Sequence, residues 1–352
     1  MTNVEFGCRP TIIGSMPHTD PRDACSLVTR YLKDIPTWPQ LPYKTFLENM
    51  YVQFSEGFPG VVIEGLDKTA SGVNEHIFVD RSRDHAAELE RLYSAYLENR
   101  PAEYAMSKTY ASGLHQFLSL DASLPMAVKG HVTGPVSWGL TVTDQDRKSI
   151  IYDDTLADAT AKMLRMKAAW QEDELRRVSK NTIIFVDEPY MSSYGSAFFS
   201  VSREKVVALI QEVMGGISGL KGIHCCGNTD WSLLLGIGLD VVNFDAYGYA
   251  QSLSIYPQDV KRFLANSGTI AWGIIPTFQD ALAKESVASL KDRLEEAMAP
   301  FTRHGIPFRQ LVAQGLLTPS CGLATLKTPE AAERALELLV DVSDTMRRRY
   351  AS

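Results

Sequence analysis

The stretch Lys221-Gly222-Ile223-His224-Cys225-Cys226-Gly227-Asn228 sets a histidine and a cysteine two residues apart at the end of a short apolar run. Side chains along a strand alternate between faces, so His224 and Cys226 share one face and Cys225 points to the other. A further cysteine, Cys321, stands far along the chain in Thr318-Pro319-Ser320-Cys321-Gly322. One imidazole and two thiolates are the nitrogen and sulfur donors that zinc prefers, and three protein ligands leave a fourth position for substrate. There is no CxxC pair, and small buried packing residues would give the same triplet, since free Cys is among the most buried types. The expectation is a catalytic zinc on His224, Cys226 and Cys321.

The elements that must bring these residues together read as a βα rhythm. Short apolar runs at Thr11–Ile13, Gly60–Ile63, Met126–Val132, Thr182–Val186, Gly222–Cys225, Val241–Phe244, Thr269–Gly273 and Leu316–Leu317 make eight candidate strands. Amphipathic helical stretches lie between them, notably Leu156–Val178, Ser202–Val213, Ser286–Met298 and Pro329–Arg348. Thr328 before Pro329 is an N-cap followed by proline at the first helical position. The pattern predicts a (β/α)8 TIM barrel, in which chemistry gathers at the C-terminal strand ends. Gly14-Ser15, Thr133-Gly134-Pro135, Asp187-Glu188-Pro189, His224, Cys226, Asp245 and Cys321 all fall at such ends. Residues 34–59 do not fit a plain βα unit and are expected to form an excursion over one end of a single domain spanning 1–352, with no internal repeat and no linker.

Bulk composition narrows the setting. The chain has 352 residues, 45% hydrophobic and 22% charged, enough for a large core. A net charge of -7 with no basic stripe argues against nucleic acid as partner. No targeting segment and no run of about 18 apolar residues is visible, so a cytoplasmic protein without membrane contact is expected. Five cysteines scattered over this length suit metal binding or packing better than a disulfide framework.

With these pieces placed, the chain resembles the catalytic barrel of cobalamin-independent methionine synthase in its short, core-type form. The wider group includes uroporphyrinogen decarboxylase and the methylcobalamin:coenzyme M methyltransferases. The matching stretches are Thr11-Ile12-Ile13-Gly14-Ser15-Met16-Pro17, Thr133-Gly134-Pro135, Val186-Asp187-Glu188-Pro189, Ile223-His224-Cys225-Cys226, Asp240-Val241-Val242-Asn243-Phe244-Asp245 and Pro319-Ser320-Cys321-Gly322-Leu323. They run in family order over nearly the whole chain.

The resemblance implies a zinc held by His224, Cys226, Asp245 and Cys321, with Asp245 standing where the methionine synthases have Glu. It implies homocysteine as substrate, its carboxylate on Ser15 and the neighbouring backbone amides, its ammonium on Asp187 and on Glu48, with Glu56 as the alternative to Glu48. The chemistry is consistent with this. A free thiol with a pKa of about 8.5 is only a few per cent thiolate at neutral pH, and coordination to zinc deprotonates it. Two cysteinate ligands keep the bound thiolate nucleophilic, and Asp245 suits the displaceable role.

The family's long enzyme has a second barrel and a histidine near strand seven that protonates a folate donor. Here Ala271-Trp272-Gly273-Ile274-Ile275-Pro276-Thr277 contains no histidine and no second barrel precedes it, so the expected donor is methylcobalamin or a methylated corrinoid on a carrier protein, with methyltetrahydrofolate less favoured. Trp138, Trp231, Tyr247 and Tyr249 are candidates to pack against a corrinoid face, or to fill the core. Coenzyme M or another small thiol is the alternative acceptor, and a non-catalytic barrel that binds a corrinoid protein is the alternative from another class. His18, His115 and His131 have no identifiable partner and are assigned no acid–base role.

Overall fold

The apolar runs read from the sequence pair mainly in parallel, with helices between them. The computed structural model describes residues 5–66, 75–120, 124–196 and 199–350. Its described strands are β1 (Arg9–Pro10), β2 (Val61–Glu64), β3 (His76–Val79), β4 (Val128–Thr133), β5 (Thr143–Asp144), β6 (Thr182–Asp187), β7 (Leu220–Cys225), β8 (Val241–Phe244), β9 (Thr269–Ile275) and β10 (Gly315–Pro319). Seven of them form one parallel sheet in the order β1-β10-β9-β8-β7-β6-β4. Helices Asp154–Leu175, Arg203–Met214, Val287–Arg303 and Pro329–Tyr350 cover its outer face, and Thr328 Oγ1 accepts from Ala331 N as an N-cap should. Among the described residues no helix is long and apolar enough to cross a membrane.

The second stave of the barrel is not where the sequence pattern put it. Gly60–Ile63 was the expected strand, but Val61–Glu64 pairs antiparallel with β3 in a separate sheet of three, β2-β3-β5. The gap between β1 and β4 is filled instead by residues 34–40, the first part of the expected excursion. Gln40 N donates to Gly14 O at 3.0 Å and Gln40 O accepts from Met16 N at 2.8 Å, while Pro36 O accepts from Lys129 N at 2.9 Å. Thr11 Oγ1 meets Ile35 O and Thr37 Oγ1, each at 3.0 Å. Pro36 and Pro39 have no N–H to give, so this stave makes isolated parallel bridges rather than a regular ladder.

A helix side chain supplies what the prolines cannot. Gln171 of Asp154–Leu175 accepts from His131 N at 2.9 Å and donates to His131 O at 2.8 Å, acting as a one-residue strand on the free edge of β4. The same oxygen accepts from Trp38 Nε1 at 2.9 Å. Gly130 permits this approach, because a Cβ there would lie 2.0 Å from Gln171 Oε1. Residues 41–59 then pack on the C-terminal end of β4: Trp138 Nε1 donates to Tyr51 O at 2.8 Å and Thr133 Oγ1 to Met50 O at 2.5 Å.

Alternation sorts the strand residues into two layers. Ile35, Ala127, Ile183, Phe185, Val241, Ala271 and Leu316 form a small apolar cluster inside the barrel. Val132, Val186, Ile223, Cys225, Val242, Phe244 and Leu317 belong to the large core between sheet and helices. Two residues on from the inner cluster, toward the C-terminal strand ends, the inward positions turn polar: Lys129, Asp187, Asn243 and Thr318, with His224 two beyond Gly222.

Gln171→Leu should strand the Trp38 N–H and both backbone groups of His131 in a dry seam. At about 1–3 kcal/mol for each unsatisfied group, the loss is expected to be about 3 kcal/mol or more, read as a lowered midpoint in chemical denaturation. A midpoint equal to that of the wild type would show that the seam is sealed by other contacts.

Candidate metal centre

β7 delivers His224 and the following turn delivers Cys226 to the inner face, and the turn after β10 brings Cys321 to them. The ligand atoms of His224, Cys226 and Cys321 all lie within 4.8 Å of one another. Zinc bonds of about 2.0–2.3 Å at tetrahedral angles separate ligand atoms by about 3.5–3.8 Å, so closure on an ion needs movements of at most about an ångström. Cys225 is buried on the other face, its thiol pushed up to about 12 by burial, as alternation requires.

The donor set already carries the charge pattern of a cation site. The Cys226 thiol is held below its ordinary value, first by a hydrogen bond from Cys321, against burial, and then by His224. The same contact, with burial, holds Cys321 well above its ordinary value. Burial pushes His224 down, but Cys226, Asp187 and Asn243 outweigh it and the net shift is upward. Two sulfurs thus share a proton beside an imidazole, and a divalent cation is the species that lets both ionise together.

Asn243 orients the histidine. Its Nδ2 donates to Ala271 O at 2.9 Å and to Thr318 Oγ1 at 2.7 Å, and since the carbonyl can only accept, the other amide atom, Oδ1, must face His224 Nδ1. Nδ1 therefore carries the proton and Nε2 is left with its lone pair for a metal, the outer-shell arrangement usual for ligating histidines. Sequence reasoning missed this residue. The signal was an Asn at an inward position of a strand otherwise apolar, where Asn is disfavoured.

Asp245 lies beside the cluster rather than within it. Its Oδ1 accepts from Gly248 N at 2.6 Å, and its pKa is raised to about 6 by burial, against Gly248, with Cys226 raising it and His224 lowering it. Asp187 ends β6 in register with His224. It is 8% exposed and its Oδ1 is buried without a hydrogen-bond partner; burial raises its pKa, with His224 and then Lys129 opposing. Ser15 adjoins the Cys321 turn, because a Cβ on Gly322 would lie 2.0 Å from Ser15 Oγ. Glu48 is fully buried, its Oε1 engaged by Ser112 Oγ and by Lys44 Nζ at 3.3 Å, its Oε2 without a partner. Glu56 instead accepts from Ser107 N at 2.7 Å.

Glu188 turns out to be architectural. It accepts from Val136 N at 2.9 Å, Ser137 N at 2.8 Å and Ser137 Oγ at 2.6 Å, capping helix Pro135–Thr141. The Thr133-Gly134-Pro135 and Asp187-Glu188-Pro189 stretches are therefore two halves of one joint, and a Cβ on Gly134 would strike the Glu188 carboxyl. Of the aromatics considered for a corrinoid face, Trp138 and Trp231 are fully buried in the core, and Tyr247 donates to Glu285 at 2.8 Å from a half-buried position. Tyr249 is exposed, and so is Tyr190 after β6. His115 Nε2 bonds Met106 O at 2.8 Å, and His18 is buried with its pKa lowered, chiefly by burial.

The sequence matches no protein-family model and no curated protein. Solved structures do resemble the fold. One is described as a B12-independent methionine synthase from Shewanella sp. W3-18-1, with a TM-score of 0.60 at 16% identity, covering 97% of this chain and 98% of that one. Another is a methyltransferase from Methanosarcina mazei, with a TM-score of 0.52 at 16% identity, covering 92% of this chain and 86% of that one. At such identities the likeness establishes the barrel fold.

Purified protein should contain about one zinc per chain, with zinc–sulfur scattering near 2.3 Å in X-ray absorption. Cys226→Ser and Cys321→Ser are each expected to lose the metal, and Cys225→Ser to keep it. Asn243→Ala should bind zinc about 10–100-fold more weakly, measured by competition with a chelator. Equal zinc loss from the Cys225 and Cys226 variants would contradict the alternation on which the site is built.

Proposed function

We propose that this chain is a zinc-dependent methyltransferase that moves a methyl group onto the sulfur of homocysteine, giving methionine, with a methylated corrinoid as donor. The observation that carries the reading is the meeting of His224, Cys226 and Cys321 on the same inner face as Asp187, whose buried Oδ1 awaits a donor. Bound to that set, zinc would hold the substrate thiol as a thiolate. Asp245 serves as the displaceable fourth donor from its place beside the cluster. Asp187, and Glu48 through its unpartnered oxygen, accept from the substrate ammonium, while the Gly14-Ser15 turn receives the carboxylate. The descriptions of the Shewanella and Methanosarcina neighbours agree with a thiol acceptor and with methyl transfer respectively.

The donor follows from proton bookkeeping. Removing a methyl group from a tertiary amine such as the folate N5 requires a proton on the leaving nitrogen, and a positioned acid contributes about 10²–10⁴ in rate. The 271–277 stretch has no such acid, and its Thr277 hydroxyl faces Ser320 Oγ at 3.3 Å. Cobalt as leaving group needs no proton. Since the Shewanella protein is described as B12-independent, the donor is the point at which this reading sets the present chain apart.

With zinc-loaded protein and homocysteine, methylcobalamin should support methionine formation and methyltetrahydrofolate should not; a folate rate equal to or above the cobalamin rate would overturn the donor. Asp187→Asn should reduce kcat/KM for homocysteine about 10–100-fold through loss of a charge-assisted hydrogen bond. Thiols without an amino group should be affected far less, and an equal loss for both kinds would place Asp187 outside the substrate site.

A further inference from the structure

The inner layer beneath His224, Cys226 and Cys321 holds polar atoms that neither that cluster nor the strand ladders use. His131 is 2% exposed, and neither its Nδ1 nor its Nε2 has a hydrogen-bond partner. Its ring is stacked on Trp38 at 4.0 Å between centroids, with Phe54 edge-on at 6.5 Å. Trp38 therefore covers one face of the imidazole. The other face lies against the turn that follows Thr11-Ile12-Ile13: a Cβ on Gly14 would lie 2.4 Å from Cε1, 2.5 Å from Nδ1 and 2.9 Å from Nε2, so the glycine sits over the ring. Gly14, at φ +153, has only hydrogen where a Cβ would strike the imidazole, which lets the turn lie against the ring and leaves the ring edge, with its two nitrogens, as what His131 can offer.

Lys129 stands two residues back on the same alternation, fully buried. Its Nζ donates to Ile13 O at 2.6 Å, the residue before that turn, and lies 4.2 Å from the centre of the Phe185 ring. An ammonium has three N–H groups; burial lowers the Lys129 pKa to about 7, and the facing Asp187 opposes that loss of charge. An imidazole with two unpartnered nitrogens and a buried lysine thus adjoin the Gly14-Ser15 turn, and the carboxylate that faces this lysine, Asp187, has an oxygen without a partner. A zwitterion complements this arrangement, and buried polar groups left unpaired discriminate strongly against ligands that cannot satisfy them.

We propose that His131 determines acceptor specificity by donating a hydrogen bond to the carboxylate of an α-amino-acid thiol seated on the Gly14-Ser15 turn, with Lys129 supplying the positive charge beneath it. The proposal rests on the thiol-methyltransferase reading above and narrows its acceptor to thiols that carry both ends of an amino acid. Burial, and then Lys129, hold the imidazole neutral at physiological pH, so one of its ring nitrogens has a proton to give and the other a lone pair.

The test compares L-homocysteine with 3-aminopropane-1-thiol, which keeps the thiol and amine and lacks the carboxylate, by calorimetric titration of zinc-loaded protein. Wild type should prefer homocysteine about tenfold or more. His131→Phe, which retains the stack on Trp38, should bind homocysteine about 10–100-fold more weakly and the aminothiol unchanged. His131→Gln, which keeps a donor, should recover most of the preference, and His131→Leu is read in the same way as His131→Phe should the larger ring disturb the fold. Unchanged homocysteine affinity in the Phe and Leu variants, or an equal loss for both thiols, overturns the role of His131 while leaving the function standing. Failure of wild type to bind either thiol overturns the function itself.

Discussion

A side chain that points into a closed barrel can bond only to other inward side chains, to strand backbone or to a ligand, so the interior must be satisfied as a set. Near the N-terminal strand ends this protein meets the demand with Ile35, Ile183, Phe185, Val241 and Leu316, which ask for nothing. Toward the other end, Asn243 links three strands, reaching His224 on β7, Ala271 O on β9 and Thr318 on β10. Every inward polar group near it is then either braced, as His224 is, or left with a free atom, as Asp187 and His131 are. The free oxygen of Asp187 lies level with His224 and the free nitrogens of His131 one layer below it.

Period-two alternation made much of this legible from the sequence. It separated His224 and Cys226 from Cys225, whereas Asp187 was placed only at a strand end, its role coming from the resemblance. It could not show the stave at 34–40, because Pro36 and Pro39 remove the N–H groups that define a strand, and the compensating amide of Gln171 is 133 residues from Trp38. Val61–Glu64 was recognisable as a strand, but its local pattern does not encode whether it joins the barrel or pairs with β3. Glu188 was hidden for a similar reason: next to an inward Asp187 it must face outward, and only the fold reveals that a helix start 52 residues earlier in the chain needs its oxygens. Aromatic content likewise said nothing about depth, and Trp138 and Trp231 proved to be core.

The centre and its surroundings divide the electrostatic work. The two sulfurs and the imidazole share their charge through the Cys321–Cys226 contact and His224, while Lys129 and Asp187 offset one another. Burying an ammonium is costly unless it is paired, and Lys129 has a backbone carbonyl, an aromatic face and a carboxylate within reach.

The proline-bearing stave also bears on how the chain avoids its own copies. While the barrel is open, β1 and β4 are the two free edges of a seven-stranded parallel sheet, and a free edge is a template for pairing with another chain. The segment that seals them brings few N–H groups of its own and is pinned by a tryptophan to a glutamine from a helix. A strand from a neighbouring molecule would find on this closing segment interrupted hydrogen-bonding positions, and on β4 an edge already occupied at His131 by a side-chain amide. The irregularity that hid this stave from the sequence thus protects the closing barrel from growing by one more strand.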